Sequence, residues 1–294
     1  MAPRQISQRQ YFFGSRARLL YELIGWNFRK ADHLRFMNYG YDDGDPPPLA
    51  PEDEAERYCA QLYHAAAALH DLSGKHVLDI GSGRGGGAAH VHRYFAPLET
   101  VGCDLAQAAI RFCESTYRDI EGLRFVRGNA TDLPFKDNAF GAVLNVESAH
   151  CYPDRDAFFA EVFRVLAPGG TFHFSDFTRP GRDPAAEIAE LTAALKEAGL
   201  TVATERDITD AILHGLDHDD ARRRREIRRW FPLGTRRLAA LWTGTRGSWI
   251  YEDFRAGRRK YVMVLAFKPA GSGNAALLAP ACKAGHHHEP ALTL

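Results

Sequence analysis

The 294-residue chain has no run of about 18 apolar residues, the length a helix needs to cross a bilayer, so no membrane insertion is expected. It also lacks an excess of either charge. Its 37 basic and 37 acidic side chains cancel, and no overall field draws it to nucleic acid or an anionic surface. The five cysteines, Cys59, Cys103, Cys113, Cys151 and Cys282, form no C-x-x-C pair and no regular spacing. That argues against a disulfide framework and a structural zinc site, and no catalytic metal is expected. Residues 1–10 are polar with no apolar stretch behind them, so the expected setting is a reducing cytoplasm. There is no internal repeat.

What is present is 45% hydrophobic content, enough for a sizeable core. Residues 10–36 space Tyr11, Phe12, Leu19, Leu20, Leu23, Ile24 and Trp26 as an apolar helical stripe. Residues 1–72 are therefore read as a helical cap that joins copies of the chain into a homo-oligomer. A Gly- and Pro-rich loop at 42–51 precedes an expected helix at 52–72. From His76 the text alternates between strand and helix. Strands are expected at 76–80, 100–103, 123–127, 142–145, 171–177, 201–209 and 261–268. Helices are expected at 86–95, 106–117, 155–166 and 184–198. This pattern predicts an α/β fold of the Rossmann-like kind: a mostly parallel seven-stranded sheet with helices on both faces, spanning residues 73–270. A helical insertion at about 210–260 is read as part of a lid over the sheet's ligand edge. Residues 271–294, including His286-His287-His288, are read as a disordered tail without catalytic meaning.

The strongest signal is Val77-Leu78-Asp79-Ile80-Gly81-Ser82-Gly83-Arg84-Gly85-Gly86-Gly87, a strand running into a glycine-dense turn and a helix. Glycine permits positive φ and leaves no Cβ in the way of a ligand. Taken alone, Gly81 and Gly83 fit a plain tight turn, a dinucleotide or a nucleoside equally well. Asp104, ending the next strand roughly 20 residues on, can accept both hydroxyls of a ribose, or can merely cap a helix. Leu105 follows it as a candidate adenine face.

Three further motifs follow in order: Gly128-Asn129-Ala130-Thr131-Asp132-Leu133-Pro134-Phe135, Asn145-Val146-Glu147-Ser148-Ala149-His150-Cys151-Tyr152, and Leu166-Ala167-Pro168-Gly169-Gly170. With them, residues 75–177 resemble the class I S-adenosylmethionine-dependent methyltransferases. The resemblance implies S-adenosylmethionine as cofactor, with Gly81, Ser82, Gly83, Asp104, Leu105, Asn129, Ala130 and Asn145 around it. Asn129 stands where the family usually has Asp, replacing a charged adenine contact with an amide. Within the family, Asn-Val-Glu-x-x-His-Cys-Tyr-Pro and Phe-x-Asn-x-x-Tyr (Phe36, Asn38 and Tyr41) resemble small-molecule enzymes of lipid and natural-product pathways. These include phthiotriolone dimycocerosate and sterol methyltransferase-like enzymes, with a narrower likeness to teleocidin-type prenyl-carbon methyltransferases.

That subgroup implies methyl transfer to a carbon or oxygen of a small, largely apolar acceptor such as a lipid, terpenoid or other secondary metabolite. Tyr39 and Tyr41 resemble the aromatic segment that closes over the methionine end of the cofactor; Tyr21, Trp26 and Tyr39 are candidates to line the acceptor pocket. The alternatives are core packing for the first pair and a subunit contact for Tyr21 and Trp26. His150 is the first candidate base and Glu147 the second. Against these stand a wall role for His150 and a backbone-bonding role for Glu147. Three rival readings remain: a nucleic-acid methyltransferase using Arg222-Arg223-Arg224-Arg225, Arg228 and Arg229 beside Trp230; a noncatalytic subunit; and a nicotinamide oxidoreductase. Against the first, Asp217, Asp219 and Asp220 lie just upstream and favour a salt-bridged helix face, so no nucleic-acid partner is expected.

Overall fold

The computed structural model describes residues 33–270. Tyr21, Trp26, most of the expected N-terminal helix and the expected tail lie outside the described residues.

Seven strands form one sheet: β1 (His76–Ile80), β2 (Glu99–Asp104), β3 (Leu123–Arg127), β4 (Phe140–Val146), β5 (Leu166–Phe177), β6 (Thr201–Asp207) and β7 (Tyr261–Phe267), in the order β3-β2-β1-β4-β5-β7-β6. All neighbours run parallel except β7, which is antiparallel to both β5 and β6. Strands buried on both faces read as near-continuous apolar text, and β1 shows why. Val77 packs into one core and Leu78 and Ile80 into the opposite one.

Helices α1 (Pro51–Glu54), α2 (Arg57–Ala67), α3 (Gly86–Tyr94), α4 (Gln107–Thr116), α5 (Arg155–Val165), α6 (Pro184–Glu197), α7 (Thr209–Trp230), α8 (Arg236–Trp242) and α9 (Trp249–Arg255) surround the sheet. On one face α2, α7 and α9 supply Leu62, Ile212, Leu216, Ile250 and Phe254; on the other α5 and α6 supply Phe158, Phe159, Val162, Leu191 and Leu195. The stretch after β6 thus also supplies a core layer of the domain, beyond the part in a lid expected of it.

Three expected boundaries change. The single helix at 52–72 is two, because Glu56 leaves the helical region (φ −120°, ψ 30°) and turns its buried carboxylate to the N–H of Arg35 at 2.6 Å. Residues 34–36 are not helical. The Arg35 carbonyl accepts from Gly86 at 3.1 Å, which commits the segment to bridging instead of closing a helical turn. Leu166 opens β5 opposite Phe140 and does not end α5.

Candidate active site

The C-terminal edge of the parallel strands is where an open α/β sheet binds ligands, and the glycine loop, Asp104, Asn145, Glu147 and His150 lie along it. The glycines divide by role. Gly81, at φ +75°, has the Ser148 Oγ 2.3 Å from where a Cβ would stand and the Tyr152 hydroxyl at 2.8 Å. Its smallness serves the fold's own packing. Gly83, at φ +53°, meets only the Met37 sulfur at 3.7 Å, an ordinary contact, so its smallness is not demanded by the fold's packing. Gly87 has no room either, its Cβ site lying 2.0 Å from the Tyr63 ring.

Asp104 ends β2 with one carboxylate oxygen accepting from Gly83 N–H at 2.9 Å and the other from Ala106 N–H at 2.8 Å. Each oxygen keeps a second lone pair, which is what a ribose diol requires. Burial pushes its carboxyl above the usual range, and these backbone N–H groups oppose the shift. Leu105 beside it is 52% exposed, an uncovered apolar face. Ala130 is buried, whereas Asn129 is exposed with its side-chain oxygen turned to the Thr131 N–H (3.2 Å) and hydroxyl (3.1 Å). That internal turn competes with any adenine contact through the same oxygen.

Asn145 is fully buried on β4 and donates from Nδ2 to the Ile80 carbonyl at 2.9 Å and to Ser148 Oγ at 2.6 Å. Its Oδ1 has no hydrogen-bond partner, and neither have the Ser82 Oγ and Asp79 Oδ1 nearby on the β1 edge. Unpaired buried polar atoms are rare and costly, and three of them lie on β1, on the loop after it and on the neighbouring β4. Sequence reasoning missed Asp79. Burial raises its carboxyl to about 8, with only Tyr63 donating to its other oxygen, at 3.4 Å. An acid set inside an otherwise apolar strand is the signal that would have found it.

Residues 34–41 cross over this edge as a strap. Arg84 Nε donates to the Leu34 carbonyl at 2.6 Å, Met37 overlies Gly83, and Tyr39 N–H donates to Glu147 Oε1 at 2.9 Å. Tyr39 is buried with its ring 5.5 Å from Phe177 and 6.0 Å from Phe254. The Tyr41 hydroxyl turns instead to Asp43 at 3.1 Å. Glu147 holds a left-handed backbone, φ +48°, where a non-glycine residue is strained. Burial pushes its carboxyl up to about 8.

His150, in the short turn Ala149–Cys151 after β4, is held by Asp176 at the end of β5. Asp176 accepts from His150 N–H at 2.8 Å and faces Nδ1 at 2.9 Å, and the ring stacks on Phe177 at 4.4 Å between centroids. Burial works against the imidazolium, but the Asp176 carboxylate outweighs it and holds His150 well above its ordinary pKa; the same pairing holds Asp176 low. Asp176 and Phe177 were missed as site residues in the sequence, although an acid inside the apolar Phe172–Phe177 text is again the available signal.

Three arginines of the cluster face inward or pair with acids, whereas Arg225, Arg228 and Arg229 are exposed, Arg229 lying 5.2 Å from the Trp230 ring centre. Arg222 and Arg224 pair with Asp219 and Asp220, and Arg223 donates to the carbonyls of Asn38, Tyr39 and Thr243 at 2.8–3.0 Å. Arg223 fastens α7 to the strap.

A methyltransferase-domain model matches residues 78–174. The probable phthiotriol/phenolphthiotriol dimycocerosates methyltransferase 2 of Mycobacterium ulcerans is 42% identical over 221 residues, 74% of this chain and 83% of that protein. The fatty-acid O-methyltransferase of Mycolicibacterium smegmatis is 41% identical over 244 residues, covering 82% and 86%. In fold, the geranyl diphosphate C-methyltransferase of Streptomyces coelicolor A3(2) aligns with a TM-score of 0.57 at 22% identity, covering 81% of this chain and 93% of that one. The chain belongs to the class I S-adenosylmethionine-dependent methyltransferases.

Proposed function

We propose that the protein transfers the methyl group of S-adenosylmethionine to an oxygen of a small, largely apolar lipid- or terpenoid-like acceptor, with the His150–Asp176 pair taking up the acceptor's proton. The observation that carries this reading is that pair, set into an aromatic wall of Phe177, Tyr39 and Phe254 at the C-terminal edge of the sheet. The relatives support the acceptor class: one is named for a lipid-type dimycocerosate, the other for O-methylation of a fatty acid.

When bound, S-adenosylmethionine supplies the electrophilic methyl group. Asp104 would hold the ribose hydroxyls, Leu105 and Ala130 the adenine side, and the unpaired Asp79 oxygen the ammonium of the methionine end. Ser82, Asn145 and the open Gly83 would complete that cradle. The aromatic wall excludes water and orients an apolar acceptor, which is most of what an in-line displacement asks of a protein. Asp176 fixes Nδ1 and so directs Nε2 away from itself; because the same carboxylate holds His150 above its ordinary pKa, the neutral, proton-accepting ring becomes available as pH rises, and turnover is expected to climb with pH. Glu147, tied to the Tyr39 backbone, positions the strap, and burial raises its carboxyl to about 8. The apolar stripe of residues 10–36, with Tyr21 and Trp26, supports a homo-oligomer, and a cytoplasmic setting fits the cysteine pattern.

The test is His150→Ala with a phenolic or alcoholic acceptor. A fall in turnover of roughly 100-fold or more, with cofactor affinity unchanged, is expected of a base; turnover within about threefold assigns His150 to the wall.

A further inference from the structure

Arg259 sits in the connection between α9 and β7 and is 2% exposed. A guanidinium carries five donors in a fixed fork, and a buried one needs them satisfied. Here Nε and Nη2 are buried without a hydrogen-bond partner. The carboxylate of Asp253 stands 3.6 Å from Nη2, outside hydrogen-bond reach, and its other oxygen accepts from Arg258 at 2.8 Å. Arg258 and Arg259 thus share the Asp253 carboxylate, with Glu187 a further and already paired negative charge, so the Arg259 fork is only partly matched. Arg223, also buried, makes the contrast, since its terminal nitrogens reach three carbonyls.

The surroundings of Arg259 are aromatic. Its guanidinium carbon lies 5.3 Å from the Phe177 ring centre and 5.0 Å from that of Trp249. Stacking on rings returns part of the desolvation cost of a buried cation, and an oxyanion placed against the fork would return the rest.

The sheet order says which ligand that oxyanion belongs to. Along the binding edge come β1 with the glycine loop, then β4 with His150, then β5 with Phe177, then β7, whose first residue, Tyr261, pairs with Phe177. Arg259 lies two residues before Tyr261. It therefore stands on the far side of His150 from the cofactor cradle, against the ring on which His150 itself stacks.

We infer that Arg259 is the docking group for a carboxylate headgroup on the acceptor, held bidentate by the unpaired Nε and Nη2 edge between the Phe177 and Trp249 rings. This rests on the apolar-acceptor reading above. One partly matched charge suits a monoanion better than a phosphate dianion, and the aromatic surroundings suit the alkyl or terpenoid body that follows the headgroup.

The test compares dodecanoate with its neutral isostere dodecanamide, each titrated calorimetrically into the full-length protein saturated with S-adenosylhomocysteine. The wild type is expected to bind dodecanoate at least tenfold more tightly than the amide. Arg259→Gln is expected to bring the two within about twofold, with S-adenosylhomocysteine affinity unchanged, and Arg259→Lys to restore part of the preference. Equal binding of acid and amide by the wild type, or a preference that survives in Arg259→Gln, overturns the inference and leaves the apolar-acceptor reading standing. Binding of neither probe by the wild type overturns both. Should Arg259→Gln lose its cooperative thermal transition, the wild-type comparison decides alone.

Discussion

Asp176 holds His150 twice, accepting from its backbone N–H at 2.8 Å and facing its Nδ1 at 2.9 Å. The first contact fixes where the turn after β4 leaves the sheet, and the second fixes the ring. Both come from an acid at the end of the neighbouring strand β5, so the orientation of His150 is built into the core of the fold and does not await an acceptor.

Replacing Asp176 with Asn removes the carboxylate that turns the His150 ring and stabilises the imidazolium formed when Nε2 takes up the acceptor's proton. Turnover is expected to fall roughly 100-fold or more, with S-adenosylhomocysteine affinity unchanged. The His150 pKa, read by NMR, should move down toward or below its ordinary value. A fall in turnover with an unmoved His150 pKa would point to a packing defect instead.

The two glycines of the loop should fail differently. Gly81→Ala places a Cβ 2.3 Å from Ser148 Oγ at φ +75°, so it should lower the melting temperature and disturb the packing of the β4 edge. Gly83→Ala carries a strain of about 1 kcal/mol at φ +53° and meets no backbone. Its larger effect should be on cofactor affinity. Calorimetry and thermal melts on both variants separate the roles, and matching losses of stability would contradict the division.

Asp79 gives a pH prediction. Its folded pKa, about 8, lies above the unfolded value of 3.8, so the folded state binds the extra proton and stability falls as pH rises from about 4 to 8. Glu147, raised from 4.5 to about 8, acts in the same direction. Asp79→Asn should flatten part of that slope in denaturant titrations. If Asp79 meets the cofactor's ammonium, S-adenosylhomocysteine binding at pH 7 should release on the order of one proton, measurable as a buffer-dependent heat, and the Asn variant should release none.

How legible this was in the sequence depended on range. The glycine loop, Asp104 and the strand positions are local patterns, and seven strands appear where apolar periodicity placed them, with ends shifted by a few residues. The break at Glu56 was invisible because its cause, the N–H of Arg35, lies 21 residues away in sequence. The Asp176 partner of His150 is likewise 26 residues distant on another strand. Gly81 and Gly83 look alike as text, and only the neighbours Ser148 and Met37 separate them.

Arg223 gives a stability prediction. Arg223→Met removes its donors to three carbonyls and unfastens α7 from the strap, at a cost of about 3 kcal/mol. Urea unfolding measures it. A change under about 0.5 kcal/mol would mean that the strap is held by its other contacts.

The most direct measurement incubates the full chain with methyl-labelled S-adenosylmethionine and, separately, apolar organic extract, RNA and protein lysate. The account predicts label in an organic-soluble product, lost in His150→Ala. Label confined to RNA or protein would contradict it.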